Sequence, residues 1–155
     1  MKKINYSHYL LILVLLLLTG CQSNETTKVL EEKLIVAKNQ EIPSSRDGIT
    51  VKMEKEQYVT TDDEITVNFQ NESDDELTYG SGFNLEQKVK GTWYYVLFKE
   101  GTSVTDIGYL LQPNETKSET YSLDSLKNML SPGEYRFIQS FEATSLAAPF
   151  EVIKP

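Results

Sequence analysis

From residue 48 to residue 155 the apolar positions of this chain recur with a period of two. Ile65, Val67 and Phe69 alternate strictly with polar neighbours, and Ile49, Val51 and Met53 do the same. Phe83, Leu85 and Val89 continue the theme with Gln87 as a break, and so do Tyr135, Phe137, Gln139 and Phe141, and finally Phe150 and Val152. Alternation places every second side chain on one face of an extended strand, so each run reads as a half-buried β-strand. Turn residues separate the runs. Lys90-Gly91 sits between two strand-like runs and suits a tight hairpin. Gln112-Pro113-Asn114-Glu115 and Ser131-Pro132-Gly133-Glu134 carry Pro second and a residue tolerant of positive φ third, as a type II turn requires. Asp124 or Ser125 caps a single helical turn through Met129. Short strands at this spacing predict an all-β, antiparallel β-sandwich with one short helical turn.

The pattern upstream is different. Lys2 and Lys3 precede an unbroken apolar run from Tyr9 to Leu18, followed by Thr19, Gly20 and Cys21. A basic start, a short apolar core and small residues at a cut site describe a secretory signal peptide, and the run is too short to cross a bilayer. Leu18-Thr19-Gly20-Cys21 resembles the lipobox of bacterial lipoproteins. That resemblance implies a diacylglyceryl group on Cys21, cleavage before it, and attachment to the extracytoplasmic face of the cell membrane. Two acyl chains hold firmly where one holds marginally. Three regions follow: residues 1–20 as signal peptide, residues 21–47 as lipidated Cys and flexible tether, and residues 48–155 as the folded domain. Within the tether, 22–27 is polar, 29–37 carries one short apolar face, and 42–48 is turn material.

Composition narrows the chemistry. Cys21 is the single cysteine and His8, inside the signal peptide, the single histidine. The mature chain therefore offers no Ser-His or Cys-His nucleophile pair, no zinc site of His or Cys, and no disulfide. Without Lys2 and Lys3 the balance is 13 basic against 23 acidic residues, about −10. That charge, with no basic stripe, argues against nucleic acid as a partner and leaves the lipid as the membrane contact. Asp62-Asp63-Glu64 and Asp74-Asp75-Glu76 offer hard oxygen ligands, but the strand between them sets them at opposite ends of a sandwich, where solvated turns are the plainer reading. The loop Tyr79-Gly80-Ser81-Gly82 lacks the lysine and the helix of a phosphate cradle. No cofactor is expected.

Gly91-Thr92-Trp93-Tyr94-Tyr95-Val96, Asp106-Ile107-Gly108-Tyr109, Leu130-Ser131-Pro132-Gly133-Glu134-Tyr135-Arg136-Phe137 and Leu146-Ala147-Ala148-Pro149-Phe150-Glu151-Val152, in that order, resemble the bacterial immunoglobulin-like domains of Gram-positive lipoproteins. The resemblance implies an immunoglobulin-like sandwich in which Tyr135 is the tyrosine of a tyrosine corner, bonding backbone near the preceding turn. Phe137 then takes the place of the second core cysteine of antibody domains and packs across the sheets against Val67 or Phe69. Asn71-Glu72-Ser73 and Asn114-Glu115-Thr116 are sequons by letter only in such a protein.

Trp93 and Tyr95 are the candidate partner surface. A two-residue Lys90-Gly91 loop pairs Val89 with Thr92 and turns Trp93 and Tyr95 outward, opposite Lys88 and Glu86. A three-residue loop slips the pairing by one and buries Trp93, the commoner fate of tryptophan in such folds. Both registers are open at the level of sequence. The functional expectation is a non-enzymatic, lipid-anchored domain that binds a protein or envelope polymer. The alternatives are a protease-inhibitor-like sandwich and, less favoured, a carboxylate-based enzyme.

Overall fold

A computed structural model describes residues 34–102, 107–142 and 144–155. The signal peptide, Cys21, the polar 22–27 stretch, the first residues of the 29–37 apolar face and Asp106 lie outside the described residues. Twelve strands run in chain order: β1 (Ile35–Val36), β2 (Ser45–Arg46), β3 (Ile49–Met53), β4 (Gln57–Val59), β5 (Glu64–Asn71), β6 (Leu77–Gly80), β7 (Asn84–Val89), β8 (Thr92–Tyr95), β9 (Gly108–Leu111), β10 (Thr116–Ser122), β11 (Gly133–Phe141) and β12 (Thr144–Ile153). The larger sheet is ordered β1-β8-β7-β11-β12-β4, with β6 also on β11 and β9 on β6. The smaller is β10-β5-β3-β2. Pairing is antiparallel except β4 on β12, which is parallel.

The two sheets close over one apolar core, because the alternating positions of each strand point inward. Ile65, Val67 and Phe69 of β5 are buried while Thr66, Asn68 and Gln70 are not. Phe137 of β11 meets Phe69 edge-on at 6.3 Å and stacks on Phe83 at 5.4 Å, so one ring bridges both sheets. Tyr135 Oη donates to Ser131 O at 2.8 Å, fixing the approach to β11. Asn71, fully buried, donates to the carbonyls of Asp75, Leu111 and Gln112, which ties the end of β5 to the β9–β10 connection.

Turn chemistry departs from expectation in two places. Gln112–Glu115 closes with Glu115 N donating to Gln112 O at 3.1 Å and Asn114 at φ 60°. Gly133, expected as the third residue of a second such turn, instead opens β11 opposite Val152. The helical turn expected through Met129 is a lone turn, Leu126 N to Leu123 O. It stops there because the next donor, Lys127 N, bonds Leu97 O, while Phe98 and Leu126 form a bridge. No helix occurs among the described residues.

The compact unit runs from Leu34 to Pro155, so it takes in residues that the sequence assigns to a tether. Ile35 and Val36 pair with Tyr95 and Tyr94, and Ser45 and Arg46 pair with Thr50 and Ile49. Between them the chain forms a strap over the outer face of the larger sheet, passing Arg136 of β11 and then Ala147 of β12, whose N–H donates to Pro43 O.

Candidate functional site

The β7–β8 hairpin builds the outer face. Lys90 at φ 50° and Gly91 at φ 85° are the two left-handed residues of a type I′ turn, whose twist matches the flanking strands. The loop therefore has two residues and the register follows: Val89 opposes Thr92, Lys88 opposes Trp93, and Glu86 opposes Tyr95. Val96 N bonds Leu85 O, and Phe83 meets Phe98 at 5.5 Å on the core side. Trp93 and Tyr95 accordingly lie on the opposite face, where each is half-buried.

What half-buries them is the chain's own strap and a buried ion pair. Arg136 and Glu86 are cross-strand partners, 4% and 3% exposed. The guanidinium donates from Nε to Glu86 Oε2 at 2.6 Å, and its Nη2 lies 2.5 Å from the same oxygen. Its remaining donors hold the strap: Nη1 to Gln40 O at 3.0 Å and Nη2 to Asn39 O at 2.6 Å. A guanidinium suits this place because its planar fork serves several acceptors at once. The same group lies 4.4 Å from the centre of the Trp93 ring, with Lys88 Nζ at 5.5 Å. The strap adds bonds of its own. Gln40 bridges the backbone of Trp93, accepting from its N–H at 2.9 Å and donating to its carbonyl at 3.1 Å, and Lys38 N donates to Tyr95 Oη.

Beside Trp93 an open groove of about 930 Å³ runs along β12, walled by Lys88, Glu134, Pro149, Glu151, Lys52 and Met53. Lys88 and Glu134 form a 3.1 Å ion pair on its rim. The groove thus brings the Trp93 ring together with charges of both signs. No three His, Cys, Asp or Glu side chains gather as a metal site among the described residues. Asp62 of the first acidic cluster instead caps Val59 N.

A second polar cluster lies at the β9–β10 side. Lys117 Nζ sits 4.6 Å over Tyr109 and 2.7 Å from Glu119, whose hydrogen bond pushes the amine upward in pKa. Burial pushes the Tyr79 and Tyr121 hydroxyls up as well.

Sequence reasoning did not find Arg136, Glu86 or Gln40. The available signal was the pairing of opposite charges: an Arg inside an apolar alternating strand, and a Glu whose place in β7 the Lys90-Gly91 loop fixes on the same face as Tyr95.

No curated protein matches the chain. Among solved structures it is similar to a β-glucosidase of Erythrobacter marinus (12% identity, TM-score 0.42, 68% of this chain and 15% of that one). It is also similar to an alkylpurine DNA glycosylase of Pseudomonas fluorescens (9%, 0.42, 70% and 31%), and to a β-glucosidase of Listeria innocua (15%, 0.36, 67% and 16%). The chain spans less than a third of any of these three, and at such scores the likeness carries no argument about activity. The model of the bacterial Ig-like domain matches residues 45–151, from β2 into β12, and with that match the chain belongs to the bacterial Ig-like domain family.

Proposed function

We propose that this chain is a lipid-anchored interaction domain on the extracytoplasmic face of the cell membrane, held through Cys21, that acts by binding a protein or envelope polymer and not by catalysis. The observation that carries the reading is the order of two signals: Leu18-Thr19-Gly20-Cys21, then a bacterial Ig-like domain over 45–151. A mature sequence without histidine, and whose one cysteine is the anchor, supports binding over chemistry. The Trp93 groove is the contact surface in this reading, since aromatic anchors contribute more to affinity than rim charges do.

Cells fed an alkyne-bearing fatty acid should label the wild-type protein and leave Cys21→Ser unlabelled and absent from the membrane fraction. A Cys21→Ser protein that is still processed and membrane-bound removes the anchor. Photo-crosslinking from Lys88 on intact cells should capture a defined partner that a Glu134→Lys variant, with its rim charge reversed, captures several-fold less.

A further inference from the structure

We propose that residues 34–43 are an exchangeable arm, and that two copies of this chain pair by trading it. The arm is held by contacts that fix register and bury little apolar surface. Ile35 and Val36 pair with β8, Ala37 N bonds Trp93 O, the carbonyls of Asn39 and Gln40 bind Arg136, and Pro43 O takes Ala147 N. Over residues 34–43, Ala37 alone is buried. A segment held this way opens at lower free energy than the whole domain does.

The receiving site is complete without the arm. Glu86 and Trp93 belong to the body of the domain and already hold the Arg136 guanidinium. Arg136 then reads two backbone carbonyls of the arm and none of its side chains, so an arm from another copy satisfies it equally. A second copy is the partner that carries the matching Ala37 and Gln40, and exchange of an identical element is a low-cost route to a dimer. The hinge favours it. Pro43 fixes its own φ and drives Ile42 toward extended backbone, which suits an arm reaching outward. At the tip, Leu34, Ile35 and Val36 are 38%, 54% and 55% exposed on an edge strand. In the closed monomer these apolar side chains stay in water. In an exchanged pair the two arms cross near Pro43, and each tip pairs with β8 of the other copy in the register it keeps in the monomer.

Val36 and Tyr94 are directly opposed across β1 and β8. The chain from residue 22 keeps the whole compact unit and carries no cysteine. Val36→Cys and Tyr94→Cys single variants of that chain, mixed at high concentration, warmed gently and oxidised, cannot close a disulfide within one copy. Exchange places the two sulfurs in bonding geometry, so the mixed heterodimer should exceed either homodimer by roughly tenfold. Random proportions, or monomer alone, overturn the proposal. If either variant fails to fold, a mixture of isotope-labelled and unlabelled unmodified chain is crosslinked through lysine. Crosslinks from Lys38 of one copy to Lys88 of the other support exchange. Crosslinks confined to single copies, or monomer at every concentration, overturn it.

Discussion

Phe137 shows how a single side chain does what a disulfide does in antibody domains. Its ring is fully buried in the larger sheet and touches Phe83, just before β7, and Phe69 and Tyr121 of the smaller sheet. Phe137→Ala removes the one ring that contacts all three, and should cost about 3–5 kcal/mol in urea unfolding. A loss below about 1 kcal/mol would show that the site collapses and that the bridge is dispensable. Three tyrosines give the core a pH limit. Burial raises the pKa of Tyr79, Tyr121 and Tyr135 above 10.0. Each favours its protonated form in the folded state, so the stability it contributes is complete below pH 10.0 and is lost as pH climbs past that value. Thermal melts should hold steady from neutral pH and fall above about pH 10. An alkaline absorbance titration in which every tyrosine ionises like a free one would contradict it.

At the scale of elements, the buried ion pair sets what the outer face is. Five consecutive residues of β11, Tyr135 to Gln139, are buried, which an antiparallel strand shows only where both faces are covered. The core covers one face and the strap the other. Glu86→Ala leaves the Arg136 guanidinium buried without its carboxylate and should cost about 3–5 kcal/mol. Glu86→Met with Arg136→Met removes both charges and should cost less than the two single changes added together, measured as a double-mutant cycle. Additive losses would mean that the two side chains do not act as a unit. The same elements mark what was legible in the sequence. The core strands are readable because every second residue of β5 meets the core. The β7–β8 register is only half readable: Lys90-Gly91 permits the left-handed pair a two-residue turn needs, but the three-residue alternative that buries Trp93 stays open until the φ angles of Lys90 and Gly91 decide between them. β1 is not readable: two residues cannot display a period, and it is held mostly by backbone groups that any sequence carries. The parallel pairing of β4 on β12 leaves no local mark either. One of the two registers sets Trp93 opposite Lys88, but the nearer cation, Arg136, lies 43 positions along the chain and leaves no local mark.

For the whole molecule, the question is where the folded domain begins, because its first described residues lie against the face that carries Arg136 and Trp93. The family match starts at residue 45 and the alternating pattern at 48, yet the compact unit starts at Leu34. The difference is the strap. A chain cut to residues 34–155 keeps both carbonyls on Arg136 and the Gln40 bridge to Trp93, and should melt like the longer protein. A chain cut to 44–155 loses two hydrogen bonds to a charged group, the buried Ala37 with its bond to Trp93 O, and the β1–β8 ladder. Water replaces part of what is lost, so the expected cost is about 2–4 kcal/mol with the sandwich still folded. Neither truncation should respond to strong reductant, since neither contains a cysteine. Equal melting of the two truncations would show that the strap is passive, merely laid on a face that is stable bare. Unequal melting makes it part of the domain's stability.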